Sequence, residues 1–317
     1  MRYLVTGGYG FIGSHFIRLL LEDDLQCQVT NVDLLTYAGR ETNLDDARTE
    51  HADRYHFVKA DIADVGAMRD IFDGGGFDAV INFAAESHVD RSISDPGRFV
   101  ETNVLGTSNL VGLAREFKVS RFLQISTDEV YGSLNTGDMP FTEKTPLNPS
   151  SPYSASKAGA DLLVLAAHHT FGQDVVITRC SNNYGPCQFP EKLIPLMISR
   201  ALADELLPVY GDGGNVRDWI HVVDHCHGIL AALKKGGAGG IYNIGADCER
   251  TNLEIVRGIL EILGKPESLI SFVDDRPGHD WRYAINSSRV RDELDWEPSR
   301  GFDSGLRETI AWYQSES

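Results

Sequence analysis

Two carboxylates, Asp128 and Glu129, stand side by side where an apolar run ends, in "ISTDEVYG" (125–132). Unpaired buried carboxylates are costly, so a pair where a strand leaves the core suggests a proton donor and a proton acceptor. A helix-capping reading of Ser126 to Glu129 fits S-x-x-E, but "VYGSLN" follows where a helical apolar run should be. Downstream, "SSPYSASKAGADLLVLAAHH" sets Tyr153 and Lys157 four residues apart, on one face of a helix that begins after Pro152. An ammonium near a phenol, with a cationic nicotinamide close by, would favour phenolate. Tyr153 could then take an alcohol proton as hydride leaves.

Near the N-terminus, "LVTGGYGFIGSHFIRLL" places Gly7, Gly10 and Gly13 between a strand and an amphipathic helix. Glycine there permits a tight turn and close approach of the backbone, and the free N–H groups of the helix start can cradle a pyrophosphate. The strand "CQVTNVD" ends at Asp33, 20 residues after Gly13. An acid at that point can accept from an adenosine ribose and would repel a 2′-phosphate, so NAD is expected rather than NADP. Asp61, after the third strand, could hold the adenine edge or cap the next helix.

The elements that must position these groups alternate. Strands at "RYLVT", "CQVTNV", "YHFVKA", "DAVINFA", "RFLQIS" and "DVVITRC" are interleaved with helical patterns at 11–23, 64–73, 94–117 and 153–171, and a polar loop follows the second strand. Such alternation predicts an α/β fold, a Rossmann-type doubly wound parallel sheet. From about residue 182 the rhythm loosens, with prolines at 186, 190, 195 and 208 and the turn "GDGGN", as in a smaller C-terminal lobe. "VRDWIHVVD" and "GGIYNIG" could return to the main sheet or lie near it.

A formal net charge of −17 argues against nucleic acid as a partner. No window approaches the ~18 consecutive apolar residues of a membrane span, and the glycine-broken N-terminus reads as a first strand, not a signal peptide. Five scattered cysteines without a C-x-x-C pair fit a reducing compartment, with the cytoplasm as default. "HVVDHCH" (221–227) brings His221, Asp224, His225 and His227 together, yet histidines at a strand–helix junction usually pack, and no metal is expected.

Together the glycine turn, Thr127 at a strand end and Y-x-x-x-K resemble the extended short-chain dehydrogenase/reductase family, most of whose members act on nucleotide sugars. T-D-E-V-Y-G, with "AAESHVDRSI", "DLLTYAGR", "SNNYGPCQFPEKLIP", "GNVRDWIHV" and "DRPGHDWRYAI", is similar to its dTDP-glucose 4,6-dehydratase branch over essentially the whole chain. That resemblance implies oxidation of C4 by NAD, loss of water across C5 and C6, and return of hydride to C6. It implies Tyr153 as base with Lys157 beside it, Thr127 on the C4 oxygen, Glu129 removing the C5 proton, and Asp128, its carboxyl kept neutral by burial and its neighbour, protonating the departing hydroxyl. Cofactor contacts are implied for Gly7, Gly10, Phe11, Ile12, Gly13, Asp33, Leu34, Thr36, Asp61 and Ile62. Phe83, Ala84, Ala85, Ser87, Thr102, Tyr153, Lys157 and Asn183 would complete that set. Substrate contacts are implied for Ser87, Thr127, Asn182, Lys192, Leu193, Pro208, Tyr210, Arg217, Asn252, Arg276 and His279, the three cations suiting a diphosphate. Leu34 departs from the branch, whose members often carry Lys there.

On this reading residues 1–181 form the NAD-binding domain and 182–317 mainly the nucleotide-sugar-binding lobe. The helix at 153–171 is apolar nearly all round at "LLVLAA", so one side should face the sheet and the other a second subunit, as in the family's helix-paired homodimers. A 4-epimerase or decarboxylase acting on a UDP-sugar is the rival enzyme, disfavoured by the two acids. A non-catalytic NAD-sensing scaffold would be expected to lack Tyr153 or Lys157.

Overall fold

The run "RYLVT" supplies a side chain for each face of a sheet: Tyr3 and Val5 are buried in one apolar layer and Leu4 in the other. Burial on both faces is what a central parallel strand requires. The computed structural model describes residues 1–275 and 278–316. In chain order come β1 (Arg2–Thr6), α1 (Phe11–Asp23), β2 (Gln28–Asp33), α2 (Asp45–Glu50), β3 (Tyr55–Lys59), α3 (Val65–Gly75) and β4 (Ala79–Asn82). Then follow α4 (Val89–Ser94), α5 (Pro96–Phe99), α6 (Thr107–Glu116), β5 (Arg121–Thr127), α7 (Pro152–Phe171) and β6 (Val175–Cys180). The second half holds β7 (Asn182–Tyr184), α8 (Leu193–Leu202), β8 (Leu207–Tyr210), β9 (Val216–His221), α9 (Val222–Lys235) and β10 (Gly240–Ile244). It ends with β11 (Glu249–Thr251), α10 (Asn252–Leu263), β12 (Ile270–Val273), α11 (Ser288–Leu294) and α12 (Phe302–Glu316).

Seven strands form the main sheet in the order β10-β6-β5-β4-β1-β2-β3, every pair parallel. Side chains of α1, α9 and α11 pack on one face and those of α3, α6 and α7 on the other, the doubly wound arrangement that the alternation predicts. Strand order reverses between β1 and β4, which opens a crevice at the carboxyl ends of the strands.

Three local readings change. The helix expected at 94–117 starts at Pro96 and passes through a π-helical turn, Val100–Gly106, before α6. From that turn the Asn103 amide donates to the Glu86 carbonyl (3.0 Å) and to Ser156 Oγ (2.8 Å) and accepts from the Glu86 N–H (2.9 Å). The polar stretch after β2 is partly helical, because Arg18 ties Asp46 (2.6 Å) and the Asn43 carbonyl (2.5 Å) back to α1. "GGIYNIG" supplies β10, an edge of the main sheet, whereas "VRDWIHVVD" supplies β9 and the start of α9. β9 pairs with β7 and β11 in a separate three-stranded sheet, and β8 pairs with β12.

Within the chain α7 is covered on one side only: Val164 is buried, while Leu162 is 57% and Leu163 36% exposed. Among the described residues no helix is long and apolar enough to cross a membrane.

Candidate active site

The glycine turn is shaped by what its backbone must avoid. Gly7 has φ +70°, and a Cβ there would lie 2.6 Å from the Ala84 nitrogen; at Gly13 it would lie 2.4 Å from the Gly7 oxygen. α1 therefore starts hard against the ends of β1 and β4, and no side chain caps its first turn. The open N–H groups and the helix dipole there suit a pyrophosphate. Asp33 accepts from the Tyr9 N–H (2.9 Å) and the Leu35 N–H (2.7 Å), which aim its carboxylate while leaving each oxygen a lone pair. Burial raises its pKa and those two N–H groups lower it. Asp61 accepts from Ala63 N (2.8 Å), but Asp64 is the residue that caps α3, so the capping alternative for Asp61 falls.

A single continuous cleft runs from this cradle to the end of β5. Phe11, Ile12, Leu34, Thr36, Ile62, Phe83, Ala84, Ala85, Ser87, Thr102 and Asn183 line it with Gly7, Gly10, Gly13, Asp33 and Asp61, as do Tyr153 and Lys157. A ribose acid at one end, a glycine cradle in the middle and a phenol at the other fit a dinucleotide.

At the catalytic end, β5 stops at Thr127, whose hydroxyl accepts from Glu129 N (3.2 Å) and heads a 3-10 turn, Asp128–Tyr131. Strand alternation ends there, so Asp128 and Glu129 both line the cleft. Gly132, at φ +93°, ends the turn beside the Asn148 carbonyl, where a Cβ would come within 2.4 Å of the oxygen. Thr127 Oγ1 lies 3.4 Å from Asp128 Oδ1, and Asp128 Oδ2 has no hydrogen-bond partner. Burial first, then the charges of Glu129 and Asp218, hold the Asp128 carboxyl far above the usual carboxylate range, against a smaller pull from Arg217.

Opposite, α7 begins at Pro152 behind a reciprocal Ser151–Ser154 capping box, which fixes Tyr153 in the first turn. Lys157 is buried and donates to the Ile125 carbonyl at 2.6 Å. The phenol differs from the sequence-based expectation. Burial, then the charges of Glu129, Cys180 and Asp128, push Tyr153 well above its ordinary value, against a smaller pull down from the Thr127 hydroxyl. Lys157 is itself lowered by burial. Phenolate at this position therefore requires positive charge brought in beside it.

Of the residues assigned to substrate, Ser87, Asn182 and Lys192 line the cleft with Thr127, and Lys192 Nζ donates to the Ser87 carbonyl (3.0 Å). Leu193, Pro208, Tyr210, Arg217, Asn252 and His279 do not line it; β8, β9 and the start of α10 carry most of them. Arg217 still reaches the catalytic end electrically, through Asp128, while its guanidinium donates to the Asp280 carbonyl (2.9 Å) and lies over the Tyr283 ring. The Tyr210 and His279 rings meet edge to face with centroids 6.1 Å apart. Arg276 lies outside the described residues. Glu86, Cys180, Ser181, Gln188 and Phe189 also line the cleft and were not foreseen. The first three lie at a strand end or just after one, a position that could have marked them, whereas Gln188 and Phe189 carry no local signal.

The histidines of "HVVDHCH" point to separate partners. His221 Nδ1 accepts from Val223 N, His225 Nδ1 donates to Asn183 Oδ1 (2.8 Å), and His227 is exposed. Burial pulls His225 down to about 3. Its folded pKa lies below the unfolded value near ~6.5, so the folded state binds fewer protons and acid favours unfolding. Relative to His225→Gln, the wild type should lose about 1.4 kcal/mol per pH unit below ~6.5, or about 2 kcal/mol by pH ~5. Urea titrations of both at pH ~7 and ~5 check this; a constant difference would contradict it.

The chain is similar throughout its length to known proteins. A family model described as GDP-mannose 4,6 dehydratase matches residues 4–309. A dTDP-glucose 4,6-dehydratase of Actinoplanes sp. is 51% identical over 99% of this chain and 98% of its own. The chain belongs to the dTDP-glucose 4,6-dehydratase family. Another dTDP-glucose 4,6-dehydratase, from Haemophilus influenzae, is 48% identical over 99% of this chain and 98% of its own. The solved dTDP-glucose 4,6-dehydratase of Streptomyces venezuelae, with NAD bound, superposes with a TM-score of 0.94 at 49% identity, covering 99% of this chain and 97% of that one. A UDP-glucose 4-epimerase of Thermotoga maritima superposes with a TM-score of 0.92 at 28% identity, over 100% of this chain and 99% of its own. The backbone alone therefore does not separate the dTDP-glucose 4,6-dehydratase family from epimerases; the residues at the end of β5 must.

Proposed function

We infer that this protein dehydrates dTDP-glucose to dTDP-4-keto-6-deoxyglucose, with NAD as its cofactor. The observation that carries this reading is Asp128, a buried carboxyl with its proton held by burial, beside Glu129 and facing the same cleft as Tyr153. An epimerase has no need of such an acid, because it expels no hydroxyl.

The C5 proton of glucose is not acidic until C4 is a ketone. NAD, when bound, supplies the acceptor and later the donor of hydride. Tyr153, one helical turn from Lys157, takes the C4 hydroxyl proton when positive charge stands beside it, and Thr127 hydrogen-bonds the same oxygen. Glu129 then removes the C5 proton, now α to a carbonyl, and Asp128 protonates the C6 hydroxyl as it leaves. Residues 1–181 hold the cofactor, and 182–317 mainly hold the nucleotide sugar. Ser87, Asn182, Lys192, Leu193, Pro208, Tyr210, Arg217, Asn252, Arg276 and His279 serve the substrate in this reading. The exposed Leu162 and Leu163 of α7, with Val100 and Leu105 exposed on the helix packed beside it, support a homodimer paired through these helices. The five free cysteines support a reducing compartment, the cytoplasm.

Substrate deuterated at C4 tests the whole sequence. The expected product carries the deuterium at C6, and a product without it there would refute internal return of hydride.

A further inference from the structure

Residues 280–283, "DWRY", lie outside the helices and strands, yet three parts of the active site are tied to them. From β9, Val216 N donates to the Trp281 carbonyl (2.9 Å), and the Val216 carbonyl accepts from Tyr283 N (3.1 Å). From the stretch that follows the Asp128–Tyr131 turn, Ser133 Oγ accepts from Trp281 N (2.9 Å), and Leu134 N donates to the Arg282 carbonyl (2.9 Å). Ser150, next before the Ser151 cap of α7, donates from its hydroxyl to Asp280 Oδ2 (2.6 Å). Arg217 belongs to β9, the two acids to the turn and Tyr153 to α7, so one short segment sets where all three stand relative to one another.

Asp280 makes the central contacts. Its Oδ2 accepts from the Tyr283 hydroxyl as well as from Ser150, which occupies both lone pairs of that oxygen. Burial, then the charges of Glu129 and Asp280, hold the Tyr283 phenol above its ordinary value against the pull of Arg217, so it remains a donor. Arg217 rests on the ring thus fixed: its guanidinium carbon lies 4.4 Å from the centroid, and both side chains are buried. The Asp280 carbonyl accepts from the same guanidinium (2.9 Å) and from Asn215 Nδ2 (3.2 Å). One residue therefore grips Arg217 from two sides, through its main chain and through Tyr283, and holds the approach to α7 with the same carboxylate oxygen.

We propose that Asp280 is a positioning residue that couples Arg217, and through it the substrate's diphosphate, to the presentation of Tyr153. The inference rests on the assignment of Arg217 to the substrate made above. A guanidinium recognises a diphosphate through a planar fork, so its orientation matters as much as its charge. Tyr283 and the Asp280 carbonyl set that orientation, and Ser150 carries the same fixed point to the first turn of α7, where Ser151 and Ser154 cap each other. A base displaced by a fraction of its reach loses rate while the sugar nucleotide still binds.

The test uses NAD-loaded protein, with the affinities for dTDP and thymidine measured by calorimetry and C4 oxidation of saturating dTDP-glucose followed by the transient absorbance of reduced cofactor. Asp280→Ala should weaken dTDP by about tenfold or more, leave thymidine unchanged, and slow oxidation by about tenfold or more. Asp280→Asn, whose amide oxygen still accepts from both hydroxyls, should stay within about threefold of the wild type in each. Ser150→Ala and Tyr283→Phe each remove a single hydroxyl and decide the matter even if Asp280→Ala does not fold. The first should slow oxidation with dTDP affinity unchanged, and the second should weaken dTDP but not thymidine. Ser150→Ala should add no further loss to Asp280→Ala, because the link it breaks is already gone. Equal losses for dTDP and thymidine in Asp280→Ala or Tyr283→Phe, additive losses in the double variant, or an Asp280→Asn as impaired as Asp280→Ala would each overturn the proposal. Wild type binding dTDP no more tightly than thymidine would refute the assignment of Arg217 to the diphosphate, and the proposal with it. Wild type forming no 4-keto-6-deoxy product would instead refute the dehydratase reading, since the binding contrast among the variants needs no turnover.

Discussion

Asp128→Asn should oxidise C4 and then stall. The amide is nearly isosteric with the carboxyl but has no proton to give a departing hydroxyl, so turnover should fall by about 10²- to 10⁴-fold. Oxidation and removal of the C5 proton use Tyr153, Thr127 and Glu129, and should persist. The expected signature is therefore reduced cofactor accumulating towards one equivalent per site, by absorbance, with continued exchange of the C5 hydrogen into heavy water. Turnover near the wild-type rate would remove Asp128 from the acid role. Loss of C5 exchange would mean that the two acids do not divide the work as assigned. The pH sense of the acid's part is fixed as well: Asp128 is held protonated far above the usual range, so its proton, and with it wild-type elimination, should be lost as pH rises through its pKa.

The second large effect concerns stability. Asp161, one turn beyond Lys157 on α7, and Arg179 on β6 form an ion pair at 2.9 Å with exposures of 0% and 2%. Asp161 Oδ1 has no hydrogen-bond partner, and Arg179 also donates to the Tyr131 hydroxyl at 3.0 Å. Two charges taken out of water recover little net free energy, yet removing one strands the other. Asp161→Asn should therefore cost about 3–5 kcal/mol in denaturant melts, while the double change Asp161→Leu with Arg179→Met should recover most of that loss. A double variant as unstable as the single one would shift the weight onto the links from Arg179 through Tyr131 to Asn243 (2.8 Å).

What the sequence disclosed follows the range of the physics involved. Gly7, Gly13, Asp33, Thr127 and Tyr153 each sit at or beside the end of a strand or the start of a helix, where residue type and spacing announce a turn or a cap, and one cleft collects them. The π turn at Val100–Gly106 answers to side-chain partners far along the chain, Glu86 and Ser156 among them, so no local pattern could announce it. Tyr153 shows the same limit. Its neighbour Lys157 is legible at four residues' distance, but the burial that overrides this neighbour is a property of the assembled sheet. β9 was visible as a strand, while its partners β7 and β11 were set by pairing on either side of it in sequence. Pro208, Tyr210, Asn252 and His279 rest on the family resemblance alone, and they are not part of the cleft's wall.

The parallel edge formed by β10 has a meaning for how the protein is made. β6 leaves its outer row of backbone groups open until Gly240–Ile244 docks on it, and α9, which covers one face of the sheet, arrives only just before. A nascent chain that has emerged to residue 181 carries the glycine turn, both acids, Tyr153 and Lys157, yet shows an unfinished sheet margin to its surroundings. Synthesis of roughly sixty further residues separates the appearance of the catalytic groups from closure of the sheet that holds them, about 3–12 s at ordinary elongation rates. During that interval the ribosome-bound chain depends on whatever shields an exposed strand.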